Sequence, residues 1–141
     1  MSQGRPILLV ESDFQCAVAM SRVFRGLGLL DRLVISMDCE NALIRLRSEE
    51  GPRPCLVVLD LQAPRMSAFR FLSVLKDDEM LKMIPVVAAA TSNDPEQIAQ
   101  CYDLGAVGYL VKSDDYSDLA EKMRAVCAYW DLSEMPLQRM W

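Results

Sequence analysis

"ILLVESDFQCAVAM", residues 7–20, changes its period halfway along. Ile7 to Val10 run apolar without a break, as in a strand buried on both faces. Glu11, Ser12 and Asp13 then stop the run. From Phe14 onward the pattern is helical: Phe14, Ala17, Val18, Ser21 and Phe24 recur at helical spacing until "GLG" at 26–28 ends it. Ser12-Asp13-Phe14-Gln15 has the S-x-x-Q form of a capping box, which predicts Ser12 as the helix cap and Gln15 as its reciprocal partner. Strand, acidic loop and helix make one βα unit.

The unit repeats. Four further apolar runs read as strands: "RLVISM" (32–37), "CLVVLD" (55–60), "IPVVAAA" (84–90) and "VGYLV" (107–111). Helical patterns lie between them. One covers 39–49 with Ala42, Leu43 and Leu46, closed by "GPRP"; the next starts near Ala68 with Phe69, Leu72 and Leu75 on one face. Another opens at "NDPEQ", with Asn93 or Asp94 capping and Pro95 in the first turn, and stops at Gly105. The last, about 115–130, aligns Leu119, Met123, Val126, Cys127 and Trp130. Strict alternation predicts an α/β fold, a (βα)5 doubly wound parallel sheet with right-handed crossovers; of the orders open to such a sheet, the flavodoxin-like 2-1-3-4-5 is the one expected here. Residues 1–130 read as one domain and 131–141 as an apolar tail. Trp130, Leu132, Met135, Leu137, Met140 and Trp141 are too apolar for a free tail, so packing on the parent domain or contact with a partner or a second copy is expected.

Bulk chemistry narrows the function. A net charge of -5 and a pI near 4.7, with no Lys/Arg cluster, give no electrostatic footprint for nucleic acid. No stretch reaches membrane-spanning length, and "MSQGRP" lacks a signal-peptide core. Five cysteines without C-x-x-C spacing, mostly in apolar patterns, read as core residues of a protein in a reducing cytoplasm. The absence of histidine excludes Ser-His, Cys-His and phosphohistidine chemistry within the chain.

Ligands of such sheets bind beyond the carboxyl ends of the strands. Strand 1 ends there in Glu11-Ser12-Asp13, strand 3 in Asp60, strand 4 in Thr91-Ser92 and strand 5 in Lys112. With order 2-1-3-4-5 the acids of strands 1 and 3 converge, and Lys112 stands two strands from Asp60, within reach of a lysine stem. Clustered acids require a cation. Mg²⁺ suits, because it accepts carboxylates, waters and phosphate oxygens together. A carboxylate nucleophile can then take up a phosphoryl group, with metal and lysine neutralising its oxygens. A nucleotide or flavin site would need a phosphate-cradling loop after strand 1, and Glu11-Ser12-Asp13 is acidic and free of glycine.

At this point the chain resembles the receiver domain of bacterial two-component response regulators. "ILLVES" resembles the strand that ends in the family's acidic pair, "CLVVLDLQAPRMSAF" the phosphoacceptor strand and loop with Pro64 in place, and "GAVGYLVKS" the fifth strand. The resemblance implies Asp60 as phosphoacceptor and Lys112 as the essential lysine. It also implies Tyr109 as the switch aromatic, and metal ligation by Glu11, Asp60 and the backbone carbonyl of Gln62. The "KS" at 112–113 and the tail "YWDLSEMP" look most like the phytochrome-associated single-domain regulators. A sensor histidine kinase as phosphoryl donor, a protein target downstream and at most slow autodephosphorylation are what such a resemblance implies.

Four positions depart from the family pattern. Ser12 stands where a second acid should lie nearest the metal; Ser12 or Asp13 is then the substitute ligand. Counting from Pro85, the switch hydroxyl falls on Ala90, with Thr91 as the neighbouring candidate. Ala68 replaces a loop glycine. Ser113 replaces the proline after Lys112, where a cis bond would cost about 3–4 kcal/mol. Two readings follow: a working phosphoacceptor with a weakened metal site, or a pseudo-receiver that binds partners with little or no phosphorylation. A small Ala90 leaves Tyr109 room to lie inward whatever the state of Asp60.

Overall fold

The computed structural model describes residues 4–48, 51–63 and 66–135. Five strands and five helices alternate: β1 (Ile7–Val10), α1 (Phe14–Gly26), β2 (Leu33–Ser36), α2 (Cys39–Arg47), β3 (Leu56–Asp60), α3 (Ala68–Asp77), β4 (Val86–Ala90), α4 (Pro95–Asp103), β5 (Gly108–Val111) and α5 (Tyr116–Leu132). All pair in parallel, as the alternation predicts, and in the expected order β2-β1-β3-β4-β5. The three inner strands are buried along their whole length, whereas β5 at one edge is half-exposed. This is why the inner strands read as unbroken apolar runs.

Two apolar layers hold the sheet. On one face α2 and α3 pack Leu43, Leu46, Phe71 and Leu72 against Val57, Leu59 and Ala88, and α4 adds Cys101. On the other, α1 and α5 pack Met20, Phe24, Leu119 and Met123 against Leu9, Val58 and Ala89. Each helix begins with a side-chain cap: Asp13, Asp38, Ser67, Asp94 and Asp115. α4 has Pro95 as its first residue, where a missing N–H costs nothing. Beyond it, Gly105 takes a φ of 104°, a conformation that favours glycine.

Two local expectations are corrected. Ser12 does not cap α1; Asp13 does, its Oδ1 accepting from the backbone N–H groups of Gln15 (2.9 Å) and Cys16 (3.3 Å). Asp13 is as good a cap as serine, and starting the helix one residue later leaves Ser12 in the loop. The buried stripe of α1 is consequently Ala17, Met20, Val23 and Phe24, and Phe14 is 74% exposed. α5 runs to Leu132, past the expected end near 130, and Trp130 packs against the α1–α5 layer. The tail beyond Met135 and Pro64 lie outside the described residues. Among the described residues, no helix is long and apolar enough to cross a membrane.

Candidate phosphoacceptor site

The sheet's hydrogen-bond ladder carries the site residues slightly past the strand ends. The Glu11 N–H donates to Ser36 O at 2.9 Å, one step beyond β1, and the Lys112 N–H to Ala90 O at 2.7 Å, one step beyond β5. Asp60 is the last residue of β3, in register with Ala89 of β4. Their side chains meet over the carboxyl rim. Lys112 Nζ lies 2.8 Å from Glu11 Oε1 and 3.2 Å from Asp60 Oδ1. The two carboxylates are almost completely buried, at 1% and 3% exposure. Two backbone amides complete the acceptors: Asp13 N–H donates to Glu11 Oε2 (3.2 Å) and Gln62 N–H to Asp60 Oδ1 (3.1 Å).

The charges are strongly interdependent. Burial pushes the Glu11 carboxyl up, and its bond to Lys112 offsets that only in part. Burial alone would lower Lys112, but the hydrogen bond and charge of Glu11 and the charge of Asp60 outweigh it and hold the ammonium protonated. Cys16, in the first turn of α1, lies beside Glu11, and burial, followed by the neighbouring carboxylate, pushes its thiol up to about 12. Sequence pattern placed Cys16 among the small core residues; it borders the acids instead, one helical turn after the loop. The other four cysteines are buried and all five are free thiols.

A cavity of about 340 Å³ opens at this rim, and Glu11, Asp13, Cys16, Asp60, Thr91 and Lys112 all line it. Thr91 is exposed there, while Ala90 is turned into the core at 1% exposure. The Lys112–Ser113 bond is trans, and the lysine nonetheless reaches both acids. Ala68 is buried as the first residue of α3, its methyl accommodated in the core. Tyr109 lies half-buried on the opposite side of β5, its hydroxyl donating to Ser92 O at 2.7 Å and accepting from Gln97 Nε2 at 2.8 Å. Gln97 was not singled out by sequence; only its place in the first turn of α4, beside the β4–α4 loop, could have indicated it.

The donor set is that of a small hard cation. Among the described residues no three His, Cys, Asp or Glu side chains gather closely enough to hold a metal by themselves. Two converging carboxylates are nevertheless within what Mg²⁺ uses, since it keeps several waters and takes one or two carboxylates with substrate oxygens. The residues therefore fit such an ion, with one charged ligand fewer than an acidic pair on the loop would supply.

A parallel (βα)5 sheet with two buried acids and a lysine at its carboxyl rim defines a receiver. The response regulator receiver domain model matches residues 7–124, and the chain belongs to that family. Among its relatives, the probable methanogenesis regulatory protein FilR2 of Methanothrix harundinacea is 34% identical over 127 residues, covering 88% of this chain and 82% of that one. The response regulator Rcp1 of Synechocystis is 30% identical over 128 residues, covering 88% and 87%. The crystal structure of the phosphorylated cyanobacterial phytochrome response regulator RcpA superposes with a TM-score of 0.85 at 28% identity, over 94% of this chain and 99% of that one.

Proposed function

We propose that Asp60 accepts a phosphoryl group from the phosphohistidine of a sensor histidine kinase, and that the modified chain signals by binding another protein. One carboxylate oxygen of Asp60 bonds to phosphorus as the P–N bond to the donor imidazole breaks, and the ring, which carries a proton on its other nitrogen, takes the bonding pair and leaves as neutral imidazole. Lys112, held between both acids, supplies a fixed positive charge to the phosphoryl oxygens. Glu11, Asp60 and the carbonyl of Gln62 would hold Mg²⁺, with Ser12 or Asp13 adding an oxygen; when bound, the ion neutralises charge on the transferred group. Five free thiols suit a cytoplasmic setting. The single observation that carries the reading is Lys112 Nζ within 3.2 Å of both carboxylates. Phosphorylated RcpA supports it by similarity.

Titration with beryllofluoride and Mg²⁺, followed by ¹⁹F NMR, tests it. A bound-fluoride signal is expected in the wild type and none in Asp60→Asn; no signal in either rejects the proposal. The pseudo-receiver reading is favoured by one specific feature, the absence of a hydroxyl at the fully buried Ala90. It prevails if Mg²⁺ and beryllofluoride leave the protein's spectrum unchanged at millimolar concentrations.

A further inference from the structure

Tyr109 is held by groups that belong to neither the acids nor residue 90. A tyrosine hydroxyl has one proton to donate and lone pairs to accept with. Here the proton goes to the carbonyl of Ser92, in the β4–α4 loop, and one lone pair receives the amide of Gln97, the third residue of α4. Both partners lie on one short segment. Ala90 offers only a methyl, and among the described residues no hydrogen bond joins the Tyr109 hydroxyl to Thr91 or Lys112.

α4 is capped at its start and tied to α3 at its end. Asp94 caps its first turn, and Lys76 Nζ, reaching over from α3, donates to Asp103 O at its last turn (2.7 Å). The amide of Gln97 is thus presented from a helix tied to α3. The Ser92 side chain also accepts from Asp94 N–H at 3.1 Å, fixing the loop that carries the carbonyl.

We infer that Gln97 is the positioning residue for Tyr109, so that the tyrosine's place is set by α4 rather than by the chemical state of Asp60. A protein surface that grips α4 and displaces Gln97 would then free Tyr109, whereas modification of Asp60 alone would move it little. The second half of this inference rests on the reading of Asp60 as phosphoacceptor; the first half does not.

The test uses the full chain labelled with ¹³C in its tyrosine rings, Tyr109 being assigned by the loss of its signals in Tyr109→Phe. Without ligand, three-bond couplings should report one χ1 rotamer for Tyr109 in the wild type. In Gln97→Leu, which keeps the side chain's bulk and helix propensity, the rotamer ratio should change about fivefold, the size one net hydrogen bond supplies. Gln97→Met, which keeps the length and helix propensity but has no N–H to donate, should behave alike. An unchanged single rotamer in both variants overturns the assignment of Gln97.

With beryllofluoride and Mg²⁺ added, the Tyr109 ring signal should shift little in the wild type and several-fold more in Gln97→Leu. Equal shifts in the two proteins overturn the independence from Asp60. The ¹⁹F signal of bound beryllofluoride is read in the same tube. Its absence defeats the phosphoacceptor reading, and the ligand-free couplings then decide the role of Gln97 by themselves.

Discussion

The two walls of the site have been treated differently. On the β1–β3 side, Glu11 and Asp60 stand 49 positions apart in the chain yet share one ammonium, at 2.8 and 3.2 Å. On the β4 side, residue 90 is a buried methyl, and the aromatic of β5 is tied instead to the β4–α4 loop and to α4. The first wall keeps two buried carboxylates, a shared counter-charge and room for a cation. The second presents a methyl where the family pattern expects a hydroxyl, and its aromatic is fastened to the helix. On the function proposed above, uptake of a phosphoryl group and its readout would depend on different side chains, and each could be altered without the other.

Removing the shared ammonium should have the largest effect. Lys112→Met leaves two nearly inaccessible carboxylates without their cation, and such a loss costs about 3 kcal/mol at the low end of the range for buried pairs. Urea denaturation measures it. The pH dependence has a definite sign. Burial already raises Glu11, and without Lys112 it rises further. A carboxyl whose folded value lies above its unfolded one stabilises the fold in acid and withdraws that stability as pH climbs through the folded value. The deficit of Lys112→Met should accordingly shrink toward pH 4 and widen toward pH 7. An equal deficit at both would show that the ammonium does not neutralise these acids.

Restoring the missing acid comes next. Glu11, Asp60 and Lys112 together carry one net negative charge when all three are ionised, with Asp13 at the rim beside them; Ser12→Asp adds one more negative charge to that loop. Added attraction for a divalent ion, offset by desolvation, should raise Mg²⁺ affinity about ten- to a hundredfold, read by NMR titration. Without the ion the variant should be less stable than wild type. No gain would place residue 12 away from the cation.

Ala90→Thr probes the other wall. It inserts two heavy atoms where the side chain is 1% exposed, so overpacking of about 1–2 kcal/mol is expected by thermal melts. If Ala90 instead tolerates threonine at no cost, the β4 wall has slack that its burial does not reveal.

The contrast between the walls also marks what the sequence could disclose. Strand and helix count follow from period, and the meeting of Glu11, Asp60 and Lys112 follows once the order 2-1-3-4-5 is taken: unbroken apolar runs exist because inner parallel strands are covered twice, and acids at their ends share one rim. The absent hydroxyl at 90 was legible by counting from Pro85. What replaced it was not. Gln97 reaches Tyr109 through side-chain geometry across twelve residues, and no local propensity encodes that bond. Cys16 was equally hidden, since a half-buried thiol beside a carboxylate and a core cysteine share one pattern. Phe14 was misread for a simpler reason: moving the cap from Ser12 to Asp13 makes Phe14 the first residue of the helix, outside the stripe that faces the sheet.

The smallest effect separates two neighbouring residues of the loop. Asp13 accepts from two amide hydrogens at the start of α1 and carries its charge at the positive end of the helix dipole. Ser12 caps nothing. Asp13→Ala should cost about 1 kcal/mol in urea denaturation and Ser12→Ala close to none. The same pair divides the metal question. Asp13 spends one carboxylate oxygen on the cap, and its bond to Glu11 comes from the backbone N–H, which Asp13→Ala keeps; weaker Mg²⁺ binding in that variant would therefore report the lost carboxylate charge at the pocket rim. Ser12→Ala should weaken Mg²⁺ binding without touching stability if the hydroxyl faces the ion. Were Ser12→Ala the more destabilising of the two, the cap would lie where the S-x-x-Q pattern first put it, and the acidic rim would have to be rebuilt from that residue outward.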